Sequence, residues 1–262
     1  MAARLFAARA IAGPQEWNRR RVQILLGMAA LVALALTAGV VWSAAMMFRS
    51  DGNATGGRAG GTFVAALQVD AGNPDEFRPG PLSTDHAGTL TIPQARTLGL
   101  AQVATGFPRT PEGALAQLIA IDKRAIEPVS LVTAQDVISA WAAEGGPTST
   151  SWSGVKAVAI MLDTAGLPAN GSPELQIELR PTMGLVRDST GDGTTPCVDF
   201  VMVASGRDAT PSEVSVADCQ HMVWVDGRWM IGRGPEAEPA PSLWPGTQAS
   251  YDAGYQWLEV AP

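Results

Sequence analysis

The stretch "HMVWVDGRWMIG" (221–232) decides the fold. Two apolar runs flank Asp226-Gly227, the strongest short-range signal for a β-hairpin. Folding about that pair sets Val225 opposite Arg228, Trp224 opposite Trp229 and Met222 opposite Ile231. A tryptophan pair facing across the ladder adds roughly 0.2–1 kcal/mol. The stretch therefore closes a sheet.

Working back from it, period-two segments repeat between Gly, Pro and Asp clusters. "GVKAVAIMLDTA" (154–165), "ELQIELRPTMGLV" (174–186), "CVDFVMVAS" (197–205), "EVSVADCQHMVWV" (213–225) and "RWMIGRG" (228–234) all read as strands. The loop "SGRDATP" (205–211) centres on Asp208, and Cys197 and Cys219 stand symmetrically about it. That symmetry makes them cross-strand neighbours, able to bridge in a non-hydrogen-bonded pair. By the loop-entropy model such a bridge contributes about 3 kcal/mol. The alternative is two reduced, buried cysteines acting as small apolar side chains.

Before the strands the period is helical. Thr110 is the N-cap, Pro111 a favoured first residue and Glu112 an acid at the positive end of the dipole. Leu115, Leu118, Ile119, Asp122 and Ile126 follow on one face, and Pro128 ends the helix. A second helix is predicted from Thr133, with Asp136 completing an approximate capping box and Val137, Ile138 and Trp141 on the apolar face. Gly145-Gly146-Pro147 ends it. Helices followed by four or five antiparallel strands is an α+β pattern, a cone of helices packed on a curved sheet.

The N-terminal part is of another kind. "VQILLGMAALVALALTAGVVWSAAMMF" (22–48) has Gln23 as its only strongly polar side chain, and it is long enough to cross a bilayer with some tilt. Val22, Ile24, Leu25, Leu31, Leu34, Val40, Trp42 and Phe48 are the anchor residues. Arg19, Arg20 and Arg21 precede it, with Arg4 and Arg9 further back, whereas only Arg49 follows directly. The positive-inside rule then puts residues 1–21 in the cytoplasm and the rest outside the cell membrane. A cleaved signal peptide would have an apolar core of about 7–15 residues and a small-residue cleavage site, so an uncleaved anchor is the better reading. An oxidising exterior favours the disulfide.

Residues 49–103 read as linker and arm. "DGNATGGRAGG" (51–61) is a spacer by composition, "TFVAALQVD" (62–70) a short strand or interaction segment, and 71–111 a Gly- and Pro-rich arm. Residues 104–262 form the external domain with an aromatic tail. Beyond the anchor only Lys123 and Lys156 are lysines, which argues against direct nucleic-acid contact. His86 and His221 have no Cys or carboxylate at zinc-ligand spacing. No Gly-x-Ser-x-Gly or phosphate loop occurs. "RDSTGDGTTP" (187–196) places Asp188 and Asp192 in a Gly-rich loop but lacks the acids calcium requires. "NAT" (53–55) and "NGS" (170–172) match a glycosylation acceptor. No catalytic residue, metal or cofactor is assigned.

Helix, helix, then strands closing in "WVDGRWMIG" (224–232) is similar to the nuclear-transport-factor-two-like (cystatin-like) cone. With a basic tail, one span and a linker, the chain resembles the bitopic scaffold subunits of conjugative type IV secretion systems in Gram-positive bacteria, the TcpC-like conjugal transfer proteins. "GFPRTPEGALAQLIAIDKRAI" (106–126) and "PSLWPGTQASYDAGYQWLEV" (241–260) resemble membrane proteins carried on integrative conjugative elements. Many such subunits have two cones in tandem, and this chain has room for one. The resemblance implies a non-enzymatic scaffold whose partners are the membrane, other subunits of the secretion complex or further copies of itself. Trp244, Tyr251, Tyr255 and Trp257 are the candidate partner contacts, since aromatic residues are enriched in interface cores. The alternative for them is packing back across the domain's own core. The alternative for the chain is a membrane-tethered enzyme or small-ligand binder using the cone's cavity. A cavity lined by a buried Asp or Glu favours that alternative, and one filled by Met, Trp and Leu favours the scaffold.

Overall fold

In a computed structural model, which describes residues 75–191, 193–206 and 209–262, the hairpin forms as the sequence predicts. Strands β7 (Met222–Val225) and β8 (Arg228–Ile231) pair with Trp224 opposite Trp229. Asp226 and Gly227 adopt φ of 48° and 81°, the left-handed values a two-residue type I′ turn needs. The two indoles meet edge to face with ring centroids 5.3 Å apart. The basic tail, the anchor residues from Val22 to Phe48, the segment 62–70, Asn53, Asp192 and Asp208 lie outside the described residues. Among the described residues no helix is long and apolar enough to cross a membrane.

Helix α1 (Pro111–Ile126) starts as expected, with the Thr110 hydroxyl accepting from the Gly113 amide at 3.1 Å. Gly113 is required there, because a Cβ would lie 2.0 Å from the Pro108 carbonyl oxygen. The same carbonyl accepts the Trp229 indole N–H at 2.9 Å, so the hairpin is tied to the start of α1. Helix α2 (Leu131–Trp141) begins two residues before the expected Thr133, because Ser130 supplies the cap and accepts from the Thr133 amide at 3.3 Å.

Residues 153–164 correct the sequence reading. They form helix α3 (Ser153–Thr164) rather than the first strand. Val155, Val158, Met161 and Leu162 are buried at spacings of three and four, while Lys156 and Asp163 are exposed. The alternation of Val155, Ala157 and Ala159 imitates a strand, but burial of a helical stripe against α1 and α2 decides the outcome.

The sheet has seven strands and is mixed, where four or five antiparallel strands are expected from the sequence. Long strands β4 (Leu175–Thr190), β5 (Gly193–Gly206) and β6 (Ala209–Cys219) form its centre. The Gly-rich stretch 187–196 is the tip of the β4–β5 hairpin, with Thr190 paired to Gly193. β6 and β7 are separate strands, broken at Gln220-His221, and both pair with β5. Register shifts after Pro181 and Val186 interrupt the β4–β5 ladder, and such bulges bend a strand and help curl the sheet. From the arm, β1 (Thr89–Ile92) pairs in parallel with β9 (Gln256–Val260), which also joins β4. Through β1 the arm thus joins the sheet, and its Phe77 is buried in the main core. A two-stranded ribbon, β2 (Thr97–Leu98) and β3 (Ala104–Thr105), and a short helix α4 (Gln248–Asp252) complete the described chain.

Both faces of β5 are covered, which is why its burial is nearly continuous. Val198, Phe200 and Met202 face the main core with α1, α2 and α3. Cys197 faces a smaller cluster with Met183 of β4, covered by Leu243 and Tyr255 from the chain after β8.

Candidate functional site

Between α1, α3 and the concave face of β4–β6 lies a cavity of about 320 Å³, at the lower end of the range for small-molecule sites. Ile126, Met161, Leu179, Phe200 and Met202 make most of its wall apolar. Its polar groups come from three elements that the chain brings together over more than a hundred residues.

Asp122 stands on the apolar stripe of α1, in line with Leu115, Leu118 and Ile119, so the helix that buries those residues buries it as well. Its Oδ2 has no hydrogen-bond partner. Burial pushes its carboxyl well above the usual range, and the neighbouring Asp218 and Glu236 push it further. Asp218 is on β6, where alternation puts Val214, Val216 and Asp218 on the face that carries Phe200. Burial raises its carboxyl to about 7, against hydrogen bonds from Gln220 and the Cys219 backbone and with a further push from Glu236. Glu236 follows β8 and caps α3 from outside the helix. The Ser153 amide donates to its Oε1 at 3.0 Å and Oε2 at 3.1 Å, and the Ser153 hydroxyl donates to Oε2.

Gln220 ties two of the acids together. Its side-chain nitrogen donates to both oxygens of Asp218 and to Glu236 Oε2, each at 3.1 Å. The Gln220 Oε1 is buried and has no partner. No Lys, Arg or His lines the cavity. Buried acids with raised proton affinity, gathered in a cavity, suit proton transfer or the holding of a cation. Among the described residues no three His, Cys, Asp or Glu side chains are grouped so as to hold a metal ion.

The residues singled out from the sequence sit elsewhere, apart from Cys219. Cys197 and Cys219 are directly paired and bridged, with S–S 2.08 Å and Cα atoms 4.1 Å apart, and Cys219 lines the cavity next to Asp218. Tyr255 is no partner contact. It is 1% exposed, its hydroxyl donates to the Pro241 carbonyl at 3.0 Å, and burial raises its phenol. The tail packs back on its own sheet there because β9 is a strand of that sheet. Trp257 stays 36% exposed, with its indole N–H donating to the Tyr251 oxygen at 3.2 Å, and Trp244 and Tyr251 are half-buried. His86 is exposed, and His221 packs over Gly193 and Gly232. Asp188 is exposed at the β4–β5 tip.

Asp122 is visible in the sequence as an acid on an apolar helix face, and Asp218 as the continuation of the Val214, Val216 alternation. Glu236 has no local signal, since only the fold brings it to the start of α3. No known protein family, curated protein or solved structure matches this chain.

Proposed function

We propose that this chain is a single-pass membrane protein whose external domain is an assembly scaffold in a conjugative type IV secretion machine. The Arg-flanked apolar stretch 22–48 is its anchor, and the nuclear-transport-factor-two-like cone is the coarser α+β fold read at finer grain. The observation that carries the external placement is the Cys197–Cys219 bridge, because structural disulfides persist in oxidising compartments. Three helices on a curled sheet that ends in the "WVDGRWMIG" hairpin support the cone. Trp257, Leu82 and Val260 are exposed apolar side chains available to other subunits or further copies.

A reporter enzyme that is active only outside the cytoplasm, fused after Pro262, tests the topology. Activity is expected. A fusion active only as a cytoplasmic reporter would reverse the orientation. In cells that depend on this chain for DNA transfer, removing residues 1–49 should abolish transfer by releasing the domain from the membrane.

One observation favours the second reading, a membrane-tethered ligand binder or enzyme. The cavity is lined by the buried Asp122, together with Asp218 and Glu236, rather than filled by Met, Trp and Leu side chains. The scaffold reading loses its ground if a single polar variant at these positions folds, reaches the membrane and abolishes all activity.

A further inference from the structure

We propose that the cavity between α1, α3 and the sheet binds a small primary ammonium with an apolar body, its charged end against Asp122, Asp218 and Glu236. The inference deepens the ligand-binding reading and does not depend on a role in conjugation.

The polar end of the cavity is rich in carboxylate acceptors, and its Ser153 amide and hydroxyl donors are already engaged by Glu236. Asp122 Oδ2, in the cavity wall, is buried without a partner, and an unpartnered buried acceptor costs about 1–3 kcal/mol. The Gln220 amide nitrogen is likewise engaged, shared between Asp218 and Glu236. With no Lys, Arg or His in the wall, the negative charge of this end has no internal counter-charge. A primary ammonium brings three donors, no acceptor and one positive charge, which is the complement of what the site holds.

The remaining wall fixes the rest of the ligand. Ile126, Met161, Leu179, Phe200 and Met202 offer apolar contact and no further charge, so the body is a short alkyl or aryl group. A volume of about 320 Å³ corresponds to about ten waters at the roughly 30 Å³ each occupies in the liquid. An amine of about that many heavy atoms fills it. A metal ion is the poorer candidate, because it needs several acids converging on one point, and the described residues offer no such group.

The test is calorimetric titration of the full chain in detergent at pH 8, with 2-phenylethylammonium and n-hexylammonium as probes and 2-phenylethanol as the neutral isostere. At least one ammonium should bind, and at least tenfold more tightly than the alcohol. Asp122→Asn should weaken ammonium binding at least tenfold while leaving the thermal midpoint unchanged or higher. Ala157→Phe, which fills the cavity from α3, should block both kinds of probe. If that variant does not fold, Asp122→Asn and Asp218→Asn still decide the matter. Equal binding of alcohol and ammonium, blocked by the filled variant, would leave the cavity a ligand site and overturn the cation assignment. Ammonium binding that survives Asp122→Asn and Asp218→Asn would also overturn that assignment. Absence of binding by all three probes would overturn both it and the ligand-binding reading.

Discussion

Removing the Cys197–Cys219 bridge, by reduction or by Cys197→Ala with Cys219→Ala, should destabilise the folded domain by about 3 kcal/mol. The bridge joins residues 22 apart in sequence, and closing a loop of that size in the unfolded chain accounts for this figure in the chain-entropy model. Against a typical domain stability of about 5–15 kcal/mol the loss is large without being fatal. For a domain of this size, about 2–4 °C per kcal/mol converts it to a midpoint lowered by about 6–12 °C. The fold should survive, because Val198 to Ala204 of β5 still pair with β6 and hold the register. Far-ultraviolet circular dichroism on heating, with and without reductant, reads the shift. Mass spectrometry of the unreduced protein from membranes should find the two cysteine peptides linked. Identical midpoints in the oxidised and reduced protein would refute the energetic argument, and two free thiols in protein taken from membranes would refute the oxidising exterior.

Trp229→Ala should cost about 3–5 kcal/mol, since it empties a buried site and strips the Pro108 carbonyl of its indole donor; a denaturant midpoint within error of the parent would contradict the tie between hairpin and α1. Asp218→Asn should change the pH profile of stability. The folded carboxyl, raised to about 7, keeps a proton that the unfolded chain releases near 4, so the parent loses stability as pH rises between those values. The variant lacks that loss, and its advantage should grow by about 2 kcal/mol from pH 4.5 to pH 8, a figure discounted from about 3 because Asp218 is incompletely buried; parallel profiles would rule this out. Asp122→Leu should raise the unfolding free energy by about 1–2 kcal/mol at pH 7, because an apolar side chain removes a buried acid with an orphaned oxygen; a loss of stability would show that the acid has a structural partner.

The elements legible in the sequence are those whose determinants are local. Thr110-Pro111-Glu112 contains the whole start of α1, and Asp226-Gly227 contains the whole β7–β8 turn. The cysteine pairing could be counted because a single tight connection links their strands. Where the decision is made at a distance, the reading fails. α3 carries a sequence that also alternates, and its cap is Glu236, 83 residues beyond Ser153. β1 and β9 are short, and their parallel pairing joins Thr89 to Trp257, so neither has a turn signal to announce it. The cavity follows the same division. Asp122 and Asp218 stand out as acids on apolar faces, whereas the meeting of the two with Glu236 is a property of the folded sheet.

The cavity also bears on why such a domain is built this way. Much of its interior is filled, with Trp141, Met183 and Tyr255 almost wholly excluded from solvent. Against α1 and α3 it keeps open volume lined by Asp122, Asp218 and Glu236. A domain that needed cohesion alone would gain by closing that space with aliphatic side chains, since buried charges are costly and well-packed apolar replacements are often more stable. Each acid is held by a different part of the fold. Asp122 is carried by α1, Asp218 stands beside the bridged Cys219 on β6, and Glu236 grips the first turn of α3. A cation between them would draw the helical layer onto the sheet and relieve the repulsion that adds to burial in raising Asp122 and Asp218. Occupancy would therefore stabilise the same packing that presents Trp257 and the β1–β9 edge to the outside. Ligand and assembly surface would be coupled through the cohesion of one domain, by an energy equal to the difference in its stability with the site full and empty.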